Sequence, residues 1–508
     1  MGLNAFSLLA STPPSTGWLV SVLVASIFII LILILKFRVQ AFVSLLLAAI
    51  FVGLASRTLG LTEVAETIVS GMGGSLGFIA TIIGLGAIFG QMIEHSGGAQ
   101  SLANGMLRAF GDKRANWAML LTGFLISIPV FLDVGVVILA PIIYALARRS
   151  GKSVLVYALP LLAGMAVTHA FVPPTPGPTY VAYALGAPLG YAILWGIAVG
   201  LPTAIITIPF CRWLGEKFHI DAPAVEEEEQ PEESSESPKS LPSMGTILAI
   251  LGGPILIIVI ASFVESSIAS GVPDFLETES AKEMIAKAEV AAGGKELGKK
   301  KIYDLALPAL KREASMPQQV ILFLGHPVIA LLGATCLAMY VLGTRRGVKG
   351  NALMELATKS LGPAGIIILV TGAGGVFKQM LVKTKVGEAL AEVLAQHGLP
   401  ILLLAWVLTT IVRIAQGSAT VAMVTGAALI GPILEASGTD WSVSQLSLIT
   451  LAIAAGATGF GHVNDSGFWI VNRYFGMTER ETLLTWTPVL TMISVVGLII
   501  TSLLWLVV

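Results

Sequence analysis

Four polar interruptions of otherwise apolar sequence hold most of the groups in this chain that could bind or transfer anything. They are IPVFLDVG at 128–135, HAFVPPTPGPT at 169–179, RIAQGSATV at 413–421 and HVNDSG at 462–467. A charge or an unwound backbone within an apolar run is expensive in lipid unless it lines a site or a cavity. Broken helices expose free N–H groups, which attract an anion at half-helix N-termini, and free carbonyls, which hold a cation. A small carboxylate suits such a place. Arg413 would supply a guanidinium, and Gln416, Gly417, Ser418 and Thr420 would supply backbone and neutral groups for hydroxyls. Asn464, Asp465 and Ser466 would form a second wall, with Pro174, Thr175 and Gly177 opposite. Asp133, His169, His462 and Asp465 are the groups able to exchange protons.

Each of these has a structural alternative. Arg413 serves equally well as the partner of Asp465 or Asp133, because intramembrane charges pair with one another. Asp465 suits a helix N-cap, and a cap and a ligand site can coincide. Gly417, Ser418 and Ala419 are also small residues that let membrane helices approach closely. His169, at the end of an apolar arm, reads first as a hydrogen-bonded structural histidine. Lys378 stands out as the only lysine inside an apolar span.

Apolar elements must hold these breaks in place. Runs at 18–36, 39–60 and 75–94 reach the length of about 20 residues that a crossing needs. Residues 116–147 are interrupted at Pro129 and Asp133, leaving two short arms that suit a re-entrant hairpin. A broken span at 154–185 and a fifth at 189–213 follow. The order then recurs: spans at 245–264, 320–342 and 361–382, a hairpin at 399–432, a broken span at 445–475 and a last span at 485–507. Register supports a repeat. AVTHAFVPPTPGPTYVAYALG at 166–186 lines up with GATGFGHVNDSGFWIVNRYFG at 456–476, and GLGAIFGQM at 84–92 with GAGGVFKQM at 372–380. If hairpins do not cross, each half has an odd number of crossings, so the second half is expected to be inverted.

The expected architecture is therefore an all-α polytopic membrane protein. Two inverted repeats, 1–220 and 244–508, each carry five spans, one of them broken, and a re-entrant hairpin. Between them, 221–243 contains EEEEQPEESSESP, a like-charge segment that cannot bury apolar surface. Only the second half has an insert, 266–318, expected to form a small extramembrane helical cap, with a helix over 281–290 ended by Gly293, Gly294 and KELGKKK.

Composition agrees: 55% of residues are hydrophobic, 12% are charged and net charge is −1, with mean hydropathy +0.86. Scattered basic residues give no nucleic-acid surface. Arg148, Arg149, Lys152, Arg345, Arg346 and most others fall on one face, against Arg57, Lys383 and Lys385 on the other, so the first face is expected to be cytoplasmic. Both termini and the insert are then extracytoplasmic and the acidic linker cytoplasmic. The tail 1–17 is uncharged and lacks the positive segment of a cleavable signal peptide, so the first run should remain a membrane helix. Cys211 and Cys336 show neither a disulfide framework nor metal spacing, and neither a metal nor a cofactor is expected. GGSLG at 73–77 and the glycines at 84, 86 and 90 imitate enzyme motifs without their strand context. A hydrolase using Ser418 or Ser466 would have no motif-defined base, so no enzyme is expected.

On IPVFLDVGVVILAP at 128–141, HAFVPPTPGPT, RIAQGSATVA at 413–422 and GHVNDSGFWIVNRYFGMT at 461–478, the chain resembles the gluconate permease family of proton symporters, within the ion-transporter superfamily. The resemblance spans nearly everything outside the linker and the insert. It implies uptake, across the inner membrane, of gluconate or a related small hydroxy-carboxylate coupled to protons, by an elevator-like movement. Superfamily analogy adds a homodimer. An uncoupled anion facilitator or channel is the alternative. One departure bears on coupling: Thr175 stands where the family often has histidine in PPHPGP. Proton coupling, if kept, then falls on Asp133, His169, His462 or Asp465.

Overall fold

The computed structural model describes residues 14–130, 132–223, 240–291, 299–397 and 400–508. Among them every regular element is helical. The first half runs α1 (Thr16–Leu35), α2 (Ala41–Ala55), α3 (Leu61–His95), α4 (Gly98–Phe110), α5 (Ala115–Ile126), α6 (Leu132–Ser150), α7 (Leu155–Phe171), α8 (Pro176–Leu185) and α9 (Leu189–Lys217). After the linker come α10 (Met244–Ala269) and the insert helices α11 (Val272–Leu276), α12 (Glu279–Ala291) and α13 (Lys299–Glu313). The second half continues with α14 (Met316–Leu324), α15 (Pro327–Ala338), α16 (Gly350–Lys383), α17 (Val386–His397), α18 (Ile401–Gln416) and α19 (Ala419–Ala436). It ends with α20 (Val443–Thr458), α21 (Ser466–Tyr474) and α22 (Glu479–Trp505).

The order long helix, short helix, hairpin, broken span, final span occurs twice. α3 to α9 and α16 to α22 match element for element. Nine helical stretches among the described residues are long and apolar enough to cross a bilayer. The chain is a multi-pass α-helical membrane protein.

Several boundaries differ from expectation. The second span is a helix of only 15 residues. The third and its counterpart are much longer, at 35 and 34 residues, because polar but helix-favouring residues such as Glu63, Glu66 and Glu355 extend them. The 320–342 run is divided at Gly325 and His326, where Pro327 starts a new helix. In the hairpins, α6 has 19 residues and α19 has 18, longer than the short arms expected. Lys299–Lys301 open α13 instead of ending the preceding helix, and Gly293 and Gly294 lie outside the described residues, as do 1–13 and most of the acidic linker (224–239). α4 carries no expectation from sequence. It buries Ala99, Leu102, Ala103 and Met106 at helical spacing and exposes Gln100, Asn104 and Arg108, which marks it as an amphipathic surface helix.

Burial separates the layers. In the most apolar window of the first broken span 94% of residues are buried, against 28% for α1 and 33% for α10. A helix that is apolar on every face belongs inside, and α7 and α20 occupy the middle while α1 and α10 present side chains outward. α5 packs on α7 as α18 packs on α20, and α9 and α22 flank them. Glycine makes the tightest crossing possible. A Cβ on Gly123 would lie 2.1 Å from the Leu161 carbonyl oxygen, and one on Gly164 2.1 Å from that of Leu120. Backbone therefore meets backbone where α5 crosses α7. Thr168 locks the same crossing by donating to Phe124 O at 2.7 Å.

α3 and α16 form the other large contact. Gly71 faces Val376, Gly375 faces Ser75, Gly372 faces Leu76 and Gly84 faces Leu361. Numbers rise on one helix as they fall on the other, so these counterpart helices run antiparallel. The insert has its own apolar cluster of Val272, Phe275, Ala281 and Ala306, tied to α10 by Lys311 and Glu265 at 2.5 Å.

The crossing makes a testable statement. Gly164→Val should destabilise the protein by about 1–3 kcal/mol through overpacking, read as a lower Tm in detergent. Gly333→Ala, at a position with no neighbour within 4 Å, should leave Tm nearly unchanged.

Candidate functional site

The site is built where the second hairpin tip meets the second helix break. α18 stops at Gln416 because Gly417 adopts φ +79°, and the last carbonyls of any helix need outside partners. The broken span supplies them. His462 Nε2 is 2.9 Å from Ile414 O, and Asn464 Nδ2 donates to Ile414 O at 2.8 Å and to Ala415 O at 3.2 Å. A carbonyl only accepts, so His462 Nε2 carries a proton. Gly417 is pressed onto the same loop, for a Cβ there would lie 2.1 Å from Asn464 O.

Beneath this junction lies the pair Arg413 and Asp465. Arg413 Nη2 donates to Asp465 Oδ2 at 2.5 Å, and the side chains are 3% and 13% exposed. Asp465 Oδ1 accepts from Gly467 N at 3.0 Å, capping α21. Both structural alternatives for Asp465, helix cap and arginine partner, thus hold at once. Gly461 leaves room for the pair, since a Cβ there would fall 2.5 Å from Arg413 Nη2. Arg413 Nε and Nη1 have no partner, and neither do Gln416 Nε2 and Oε1 or Trp486 Nε1, although all are buried.

A cavity of about 290 Å³ opens beside the pair. Arg413, Ser418, Thr420, Asp465 and Ser466 line it from the second half, and Leu132, Ala166 and His169 from the first. Pro363, Ile366, Ile367 and Val370 of α16 and Trp486 and Leu490 of α22 close the apolar sides. Two helices begin at its wall: α19, whose cap Ser418 accepts from Val421 N at 3.4 Å, and α21, capped by Asp465. Their dipoles and Arg413 all favour negative charge at the same place.

Six of the residues singled out from sequence therefore meet in one cavity: His169, Arg413, Ser418, Thr420, Asp465 and Ser466. Others do not reach it. Gly417, His462 and Asn464 serve the junction between hairpin tip and helix break, and Gln416, its amide buried without a partner, does not border the cavity. Pro174 and Thr175 line a separate space of about 20 Å³ with Ser127, Pro129 and Phe89, which His169 also borders. Thr175 Oγ1 donates to Val172 O at 2.8 Å. Gly177 packs against Met423, 2.5 Å from where a Cβ would stand. Asp133 lies in the first turn of α6, and its side chain is outside the described residues. Lys378 is a fastening, with its Nζ 2.9 Å from Glu435 Oε1 and donating to Ala184 O at 2.6 Å in the last turn of α8. No cluster of three or more His, Cys, Asp or Glu able to hold a metal occurs among the described residues.

Sequence reasoning missed Trp486 and the α16 wall. A lone indole in an apolar run carries no signal that separates a cavity wall from ordinary packing.

The pair has a measurable signature. Asp465→Asn keeps the cap but strands the guanidinium, and Arg413→Gln strands the carboxylate. Each should cost about 3–5 kcal/mol. The double variant should lose less than the sum, by a coupling of about 0.5–3 kcal/mol in a thermal-unfolding cycle.

Comparison with known proteins gives this geometry its context. The model of the family described as GntP family permease matches residues 18–291 and 301–508. The chain is 36% identical to the gluconate permease of Pseudomonas aeruginosa, over 94% of this chain and 95% of that one. It is 34% identical to the low-affinity gluconate transporter of Escherichia coli K12 (96% and 98% covered) and 32% identical to its Gnt-II system L-idonate transporter (94% and 97%). Among solved structures, the fold is similar to Neisseria gonorrhoeae MtrF, with a TM-score of 0.58 at 13% identity over 93% of this chain and 96% of that one. It is also similar to the Alcanivorax borkumensis YdaH transporter, with a TM-score of 0.53 at 13% identity over 87% and 88%. With helices that span the bilayer, a buried arginine in a central cavity and relatives alike over almost their whole length, the chain belongs to the GntP family of permeases.

Proposed function

We propose that this permease imports gluconate or a closely related sugar acid across the inner membrane by proton symport. One observation carries the reading: Arg413, 2% exposed, borders the cavity with Nε and Nη1 unpartnered, beside two helix N-termini. Asp465 neutralises one edge of the guanidinium and leaves the other donors for a substrate carboxylate. Ser418, Thr420 and Ser466 offer hydroxyls to a polyhydroxy chain, and His462 and Asn464 hold the tip that presents them. Relatives named for gluconate and L-idonate support the same substrate class.

The two halves act as inverted repeats in this reading, which the antiparallel α3 and α16 favour. The hairpins and broken helices move together as an elevator against the outer spans. Both termini and the 266–318 insert face outside, and the 221–243 linker faces the cytoplasm. Of the four titratable candidates, His169 borders both cavities. His169 is the first choice for the coupled proton, ahead of Asp133.

Right-side-out vesicles with an imposed proton gradient should accumulate labelled gluconate above the outside concentration. Equilibration without accumulation would instead establish the uncoupled facilitator. His169→Gln should abolish accumulation while leaving exchange of gluconate down its gradient. Arg413→Lys should raise KM about tenfold, because an ammonium cannot replace a two-donor guanidinium contact. An unchanged KM would assign Arg413 to structure alone.

A further inference from the structure

Trp486 is one of the most deeply buried large side chains in the protein, 1% exposed on α22. Four other indoles find acceptors within the chain. Trp18 donates to Ala55 O at 2.9 Å, Trp406 to Ser494 Oγ at 2.9 Å, Trp441 to Ser437 Oγ at 3.2 Å and Trp469 to Val463 O at 2.8 Å. Trp486 Nε1 has neither acceptor nor solvent, although its side chain borders the cavity. A buried N–H left unpaired costs stability, and tryptophan is normally placed where its N–H reaches a partner.

Its surroundings indicate what the partner is. Leu490, one turn further along α22, borders the same cavity. Leu490 Cδ1 and Arg413 Nη2 crowd one point, 2.7 Å and 2.5 Å from where a Cβ on Gly461 would stand. Leu490, one turn from Trp486 on the same helix, therefore lies beside the guanidinium. Every orphaned polar atom among the residues bordering this cavity is a donor: Arg413 Nε and Nη1, and Trp486 Nε1. A ligand that satisfies all of them must bring a carboxylate and another oxygen with a free lone pair.

We propose that Trp486 is a specificity-determining residue, donating its indole N–H to the hydroxyl oxygen at C2 or C3 of a sugar acid whose carboxylate is held by Arg413. The assignment rests on the substrate reading given above. A simple aliphatic carboxylate would engage Arg413 and leave the indole unpaired, so the same residue rejects abundant unhydroxylated acids.

The test compares KM for gluconate, 2-deoxygluconate and 3-deoxygluconate in proteoliposomes. Wild type should bind one of the two deoxy acids about tenfold more weakly than gluconate. Trp486→Phe should raise KM for gluconate to that level and no longer distinguish the two. Replacing Trp486 by benzothienylalanine, which keeps the shape and exchanges the N–H for sulfur, should do the same, and it decides the matter if phenylalanine does not fold. Preference retained in these variants, or equal wild-type KM for all three acids, overturns the role of Trp486 while leaving sugar-acid import standing. Failure of wild type to take up any sugar acid overturns both.

Discussion

Lipid offers no hydrogen bonds, and the whole site follows from that constraint. A helix that stops inside the bilayer leaves carbonyls at one end and N–H groups at the other, each of which must be satisfied by protein or by a ligand. Here two stops are placed against each other. The carbonyls that end α18 take their hydrogens from His462 and Asn464 in the break between α20 and α21. The N-termini that follow each stop, at α19 and α21, are turned to the cavity. One interruption thus repairs the other's carbonyl end and adds its own positive end to a common space.

The charged pair works within that frame. A buried ion pair gains little net stability over apolar packing, so its presence calls for another reason. Asp465 holds Arg413 and caps α21 with its second oxygen, which fixes the guanidinium plane by reference to a helix start. What remains unbonded on the arginine is thereby held in a set orientation. The helix break of the first half, HAFVPPTPGPT, carries no carboxylate, lysine or arginine; it is made by prolines, and the small cavity beside it is lined largely by apolar groups.

Much of this was legible in the sequence. The breaks at 128–135, 169–179, 413–421 and 462–467 were visible because polar residues and prolines in apolar runs are costly and stand out. For Arg413 the sequence leaves two partners open, Asp465 and Asp133, and the fold brings it Asp465. Helix lengths were not legible, since Glu63 and Glu355 look like loop residues in a hydropathy pattern yet favour helix. Nor was the division of labour inside HVNDSG. Whether His462 and Asn464 point to a cavity or to the end of α18 depends on where a hairpin 50 residues earlier comes to rest, which no local pattern records. Trp486 was hidden for the opposite reason, because an apolar-looking residue in an apolar run raises no question.

The contact between Gly417 and the Asn464 backbone has a mechanical meaning. Separating the hairpin tip from the broken helix would strip the carbonyls of Ile414 and Ala415 of their donors, and a side chain at 417 could not occupy the joint. Tip and break therefore behave as one jaw. On its opposite flank the cavity is walled by Pro363, Ile366, Ile367 and Val370, where the jaw meets α16 through apolar packing, which is not directional.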